Sequence, residues 1–193
     1  RTEIDKLGVP VLSGLKLLEI SSYHLIKQDE AEKSELFKNS IIELADSKTE
    51  YKYLRPNLLI PALRVLSENK DSEYPQNVFE IGKVFEREYK KNSETGVIEK
   101  ENLAITLCPG NFTQAKQVLD CLMRMLSMEY ELKESSVKDL IEGRTGTIII
   151  NGAKTGHIGE VHPEALRNFN VKMPVSIIEI SLEEIFNALF EPE

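Results

Sequence analysis

A chain of 193 residues is long enough to bury about 70% of the surface its unfolded form would expose, so it can fold without staples. With 41% hydrophobic and 29% charged residues it has the makeup of an ordinary globular protein, and no apolar run approaches the ~20 residues of a membrane-spanning helix. Lys and Arg total 24 against 32 for Asp and Glu, and the net charge of -8 sets up a field that on average repels phosphate backbones.

The opening residues, RTEIDKLGVP, show neither a start methionine nor a signal-type apolar segment, and read as a cut inside a longer chain. Leu15 to Ile26, rich in leucine and isoleucine with partial alternation, predicts a strand. QDEAEKSELFKN then reads as a polar helix or loop, and Ser40 to Leu44 as a short strand closed by a turn at Ala45 to Lys48. Pro56 disfavours a helical Arg55, so YKYLR should be extended. Asn57 is placed to cap a helix from about Leu58 to Lys70, with Pro61 tolerated in its first turn and Leu59, Ala62, Leu63 and Leu66 on its apolar face.

NVFEIGKVFERE, from Asn77 to Glu88, has strand composition, and Gly82 within it suggests a bulge or a close backbone approach. Lys90 to Lys100 reads as a loop or hairpin tip, and Asn102 to Cys108 as a returning strand that stops at Pro109-Gly110. From Phe112 the apolar residues recur at helical intervals through Leu126, with Asn111 or Thr113 as cap and the methionines at 123, 125 and 128 as core filler. Thr147 to Val161 is a hairpin, because Asn151-Gly152 supplies the positive φ angles of a type I′ turn. A short helix after His162-Pro163, an inner strand from Val175 to Ile180 and a closing helix from Leu182 to Leu189 complete the chain. Hairpins with helices between them and no regular βαβ alternation predict an α+β fold on an antiparallel sheet.

The residues that could carry chemistry are few. Gly152, Gly156 and Gly159 are spaced for a hairpin and not for a phosphate cradle. His157, His162 and Glu160 could be imagined around zinc, but no fourth ligand clusters with them, and both histidines read as structural. His24 is isolated. Ser21, Ser22, Ser135 and Ser136 have no neighbouring histidine and acid, although a triad can be assembled from distant positions. Arg87, Lys90 and Lys91 form the best basic stretch, yet Glu86, Glu88 and Glu94 interrupt it, which points to a solvated loop. Cys108 and Cys121 are too few for a disulfide framework or a four-ligand zinc site and suggest a reducing, cytoplasmic setting.

Three blocks together carry a resemblance: YKYLRPNLLIPALRVLSENK (51–70), YPQNVFEIGKVFERE (74–88) and the tail from Ile141 to Phe186. In that order they resemble the C-terminal core of the beta chain of phenylalanyl-tRNA synthetase, of the archaeal type. The resemblance implies a class II aminoacyl-tRNA synthetase-like antiparallel sheet flanked by helices, formed by residues 1–193 as one core domain without the residues of catalysis. In catalytic class II chains a signature strand holds the ATP α-phosphate with an arginine; GKVFERE is similar to that strand and has Glu86 at the place, with Arg87 next to it. A second signature, a glycine-rich strand leading into a helix that opens on an arginine, matches EISLEEI, with Glu179 and Ser181 at glycine places and Glu184 at the arginine place.

A charge ~4 Å from a phosphate interacts by ~4 kcal/mol at an effective dielectric near 20, and exchanging arginine for glutamate reverses the sign. On this reading the domain has no catalytic, cofactor-binding or metal residue of its own. ATP and magnesium belong to the complete enzyme, an alpha2beta2 complex in which the alpha chain ligates phenylalanine to its tRNA. The resemblance places contacts to the alpha chain on Leu15 to Leu44 and the helix from Leu58, with the editing module and an acidic magnesium-binding module upstream. Two other readings are a freestanding ATP-dependent enzyme using His157, Glu160 and Arg144, and a regulatory binding module of the same fold.

Overall fold

Two twelve-residue strands, each buried on both faces over part of its length, set the frame of the molecule, because those residues must be covered from both sides. The computed structural model describes residues 10–33, 41–88 and 96–190. Residues 10–14 are helical. There follow β1 (Leu18–Glu19), β2 (Leu25–Lys27), α1 (Gln28–Lys33), β3 (Ile42–Glu43), β4 (Tyr51–Leu54) and α2 (Leu59–Glu68). The long pair is β5 (Gln76–Arg87) and β6 (Val97–Cys108), and α3 (Phe112–Met125) leads to β7 (Glu131–Glu134). The hairpin of β8 (Leu140–Ile150) and β9 (Ala153–Val161), then α4 (Pro163–Asn168), β10 (Ser176–Ser181) and α5 (Leu182–Phe190), close the chain.

Seven strands make one sheet in the order β1-β5-β6-β10-β9-β8-β7, and β2-β4-β3 make a second, small one. The large sheet is antiparallel except at one edge, where β1 runs parallel to β5. One face packs Leu103, Ile105 and Ile178 against Leu119, Leu122 and Met123 of α3 and Ile185 of α5. The other packs Cys108 and Ile177 against Leu59, Leu63 and Leu66 of α2 and Ala165 of α4. Each of these Leu and Ile side chains contributes roughly 1.5–3 kcal/mol by leaving water, and β10, buried along nearly its whole length, lies at the centre of both layers.

Local chemistry fixes the element ends. Asn111 Oδ1 accepts from the Gln114 N–H at 2.9 Å and starts α3. At α2 the N-cap position is Leu58, one residue after the expected Asn57, whose Oδ1 still accepts from the Ile60 N–H at 3.2 Å; the first turn holds Pro61 as expected. Asn151 and Gly152 have φ of 49° and 76°, the left-handed pair the hairpin turn requires.

Several expectations are corrected. The single strand expected from Leu15 to Ile26 is broken: Lys16 takes a φ of 60°, and only Leu18–Glu19 and Leu25–Lys27 pair, because the segment passes between the two sheets instead of joining one. Ser40 lies outside the described residues, and the strand expected there is Ile42–Glu43. Gly82 makes no bulge, since β5 and β6 pair without a shift from Gln76 to Arg87. Met123 is buried as filler, but Met125 is 61% exposed. The expected hairpin arm starts earlier, at Leu140. Lys90, Lys91 and Glu94 lie outside the described residues.

Candidate functional site

Strand alternation places Glu80, Gly82 and Val84 of β5, Asn102 and Ala104 of β6, and Ile177, Glu179 and Ser181 of β10 on one face of the sheet, under the start of α2. Two carboxylates there are almost wholly removed from water, Glu80 at 3% and Glu179 at 3% exposure. A buried charge must be paired or fully hydrogen-bonded, and the two solve this differently.

Glu80 is paired. Arg55, 1% exposed and lying between β4 and α2, gives Nη1 to Glu80 Oε1 at 2.7 Å and Nε to the Lys83 carbonyl at 2.7 Å. The Ser22 hydroxyl accepts from Arg55 Nη1 at 2.7 Å and donates to Glu80 Oε2 at 2.7 Å, while the Ser22 N–H donates to Oε1 at 3.1 Å. The guanidinium is thus consumed inside the fold and is not presented to a phosphate. Gly82 makes room for it: a Cβ there would run into Arg55 Nη2 and lie 3.2 Å from Glu80 Oε1. This is the close approach that a glycine inside a strand signals.

Glu179 has no such cation in contact. It accepts from Asn102 Nδ2 at 2.8 Å and from the Leu58 N–H at 3.2–3.3 Å, at the entry to α2. Burial pushes its carboxyl up to about 7, against the opposing effect of those two hydrogen bonds and of the Arg55 charge. His157 on β9 is the direct cross-strand partner of Glu179, and burial pulls its imidazole down to about 4.

The remaining positions of the two signature stretches lie further out. Glu86, exposed near the end of β5, pairs with Lys100 of β6 at 2.7 Å. Arg87 is directed elsewhere, its Nη2 donating to the Ile41 carbonyl at 3.4 Å. Ser181 Oγ accepts from the Glu184 N–H at 3.5 Å at the start of α5, where Glu183 and Glu184 face the positive end of the helix dipole. An acidic first turn stabilises this helix, and an arginine at the same place would oppose the dipole.

The imagined metal set does not assemble. Glu160 accepts from the Phe112 N–H at 2.9 Å and from Arg144 Nη1 at 2.7 Å, on the face that carries α3, whereas the odd-numbered His157 points to the opposite face. His162 caps α4, its Nδ1 accepting from the Glu164 N–H at 3.2 Å. Among the described residues no group of three or more His, Cys, Asp or Glu could hold a metal ion. Arg144 and Glu160 do meet, without His157. Of the serines, Ser22 belongs to the Arg55 cluster, with no histidine beside it in that network.

Reading the sequence missed the network of Arg55, Glu80 and Ser22, and the bond from Asn102 to Glu179. One signal was available: Glu80 is a charge in the middle of an otherwise apolar strand, VFEIG, and a buried charge implies a partner.

Residues 9–182 match the family of the phenylalanyl tRNA synthetase beta chain CLM domain. The chain is 36% identical over 180 residues to the phenylalanine–tRNA ligase beta subunit of Pyrococcus abyssi, covering 91% of this chain and 32% of that protein. To the Archaeoglobus fulgidus subunit it is 32% identical over 194 residues, covering 96% and 34%. The chain therefore spans about a third of the length of these relatives. Among solved structures, the pyrrolysyl tRNA synthetase PylSc of Desulfitobacterium hafniense superposes with a TM-score of 0.75 at 14% identity, over 96% of this chain and 67% of that one. That likeness is one of fold.

Proposed function

Because the chain belongs to the family of the phenylalanyl tRNA synthetase beta chain CLM domain, we propose that it is the core domain of a phenylalanine–tRNA ligase beta subunit and supports a reaction centre held by another chain. Residues 1–193 form one class II-like domain in this reading. The assembled alpha2beta2 enzyme, in the cytoplasm, uses ATP and magnesium to join phenylalanine to its tRNA on the alpha chain, and this domain supplies no catalytic, cofactor or metal residue.

The observation that carries the reading is the occupation of the inner sheet face. The resemblance puts Glu179 at a glycine place of catalytic class II chains, and its buried side chain takes up space between β6 and β10 on that face. The cation near it, Arg55, is spent on Glu80, Ser22 and the Lys83 carbonyl. A triphosphate brought to this face would meet carboxylates and an unavailable guanidinium. In this reading the contacts to the alpha chain lie on Leu15 to Leu44 and the helix from Leu58; what supports it is that Tyr23 at 74% and Leu18 at 68% exposure, in the first stretch, are the most exposed large apolar side chains among the described residues.

Two measurements test this. The full-length subunit mixed with its alpha chain should elute as one complex that charges tRNA with phenylalanine. The subunit alone should give no phenylalanine-dependent ATP–pyrophosphate exchange. Exchange by the beta chain alone, or failure of the two chains to associate, overturns the proposal.

A further inference from the structure

The molecule carries a net charge of -8, and nine of its nineteen described lysines and arginines are neutralised locally: Lys27, Lys33, Lys52, Arg55, Arg64, Lys83, Lys100, Lys116 and Arg144 each hold a carboxylate. In one groove of about 630 Å³ three cations gather without a carboxylate among them. It is lined by Lys70 beyond the end of α2, Arg167 in the last turn of α4 and Lys172 just after it, over a floor that includes Pro163, Leu166 and Val171. No carboxylate lines it.

Cations at a helix C-terminus are often there to complement the dipole and satisfy the last carbonyls. Here backbone and amide groups already serve several of those carbonyls. The Val65 carbonyl receives the Asn69 N–H and Nδ2, and the Ala165, Leu166 and Arg167 carbonyls receive the N–H groups of Phe169, Val171 and Asn170. Three positive charges are left converging on one concave surface of an acidic protein. The ligand that rewards such an arrangement is a chain of phosphates, since each neutralised phosphate releases bound counterions. Two of the three cations are lysines, which protein interfaces tend to exclude.

We infer that this groove is a contact surface for the sugar-phosphate backbone of RNA, with Lys70, Arg167 and Lys172 on phosphates and the apolar floor against ribose. The inference rests on the proposed function for the identity of the RNA, a transfer RNA, and adds to it a place on this domain where that RNA is held.

The test uses the assembled enzyme with full-length beta subunit, titrated with phenylalanine tRNA by fluorescence anisotropy over a range of KCl concentrations. The triple variant Lys70→Ala, Arg167→Ala, Lys172→Ala should weaken binding on the order of tenfold near physiological salt and reduce the slope of log affinity against log salt by about 2. Lys172→Ala alone should reduce that slope by a smaller step, and Arg167→Lys should leave it unchanged. Wild-type affinity and slope in the triple variant overturn the inference. So does a triple variant that loses the alpha chain while Lys172→Ala keeps the full salt slope, which makes the groove a protein contact. Absence of aminoacylation by the wild-type complex counts against the proposed function instead, and leaves the tRNA titration to decide the groove.

Discussion

Glu179 and His157 are opposed across β10 and β9, and burial drives both toward their uncharged forms, the carboxyl up to about 7 and the imidazole down to about 4. They do not make an ion pair of the kind their proximity invites. Glu179 spends its oxygens on Asn102 and the Leu58 N–H, and the two neighbours share a face that favours neutrality.

Stability should depend on pH through this pair with opposite signs. The Glu179 carboxyl binds its proton more tightly in the folded state, so its contribution is fully present below pH 4.5 and is lost as the pH rises through about 7. His157 binds its proton less tightly when folded, so its contribution is present above pH 6.5 and is lost as the pH falls toward about 4. Urea unfolding between pH 4.5 and 7 should show Glu179→Gln losing stability on acidification relative to wild type, and His157→Gln gaining it, each by at most ~3 kcal/mol. Parallel profiles for all three proteins would refute the assignment.

Removing Arg55 should be among the most damaging single changes. Arg55→Met keeps much of the volume but strands the Glu80 carboxylate at 3% exposure, at a cost of roughly 3–5 kcal/mol. Arg55→Met with Glu80→Gln should recover a large part of that loss. Thermal unfolding of the four members of the cycle gives the coupling directly.

Gly82→Ala adds one methyl in a register that pairs normally, so strand propensity alone would make it neutral or better. The added carbon collides with the Arg55 guanidinium, which three acceptors hold in place. A loss of about 1–3 kcal/mol is expected, as for other overpacked sites. In an Arg55→Ala background the same substitution should cost much less.

The two thiols should differ in reactivity. Cys108 is fully buried, and burial raises its pKa to about 11, whereas Cys121 is partly exposed. Alkylation at pH 8 should label Cys121 first, with Cys108 reacting only as the protein unfolds, a difference that peptide mass spectrometry resolves.

The legible parts of this fold are those whose signal lies within a few residues. Asn151-Gly152 announced its hairpin, Asn111 its helix, and the period of Ala115, Leu119 and Leu122 the buried side of that helix. The stretch from Leu15 to Ile26 was not legible, because its leucines and isoleucines satisfy a strand pattern while its backbone crosses from one sheet to another. At the site, Glu86, Glu179 and Glu184 stood out by their positions in the signature stretches. Their surroundings did not: Ser22 and Glu80 are 58 positions apart, Arg55 and Glu80 are 25 apart, and Asn102 and Glu179 are 77 apart. Hydrogen-bond partners chosen by tertiary packing leave no periodicity in the chain.

The Arg55, Glu80, Ser22 and Gly82 group also constrains how this part of the molecule can drift. Each member exists on condition of the others: the hydroxyl bridges two charges, the carboxylate needs the guanidinium, and the guanidinium needs the missing methyl. A lone exchange at any of them leaves a mismatch inside the protein, so replacements should accumulate here as concerted sets, with intermediates that fold poorly.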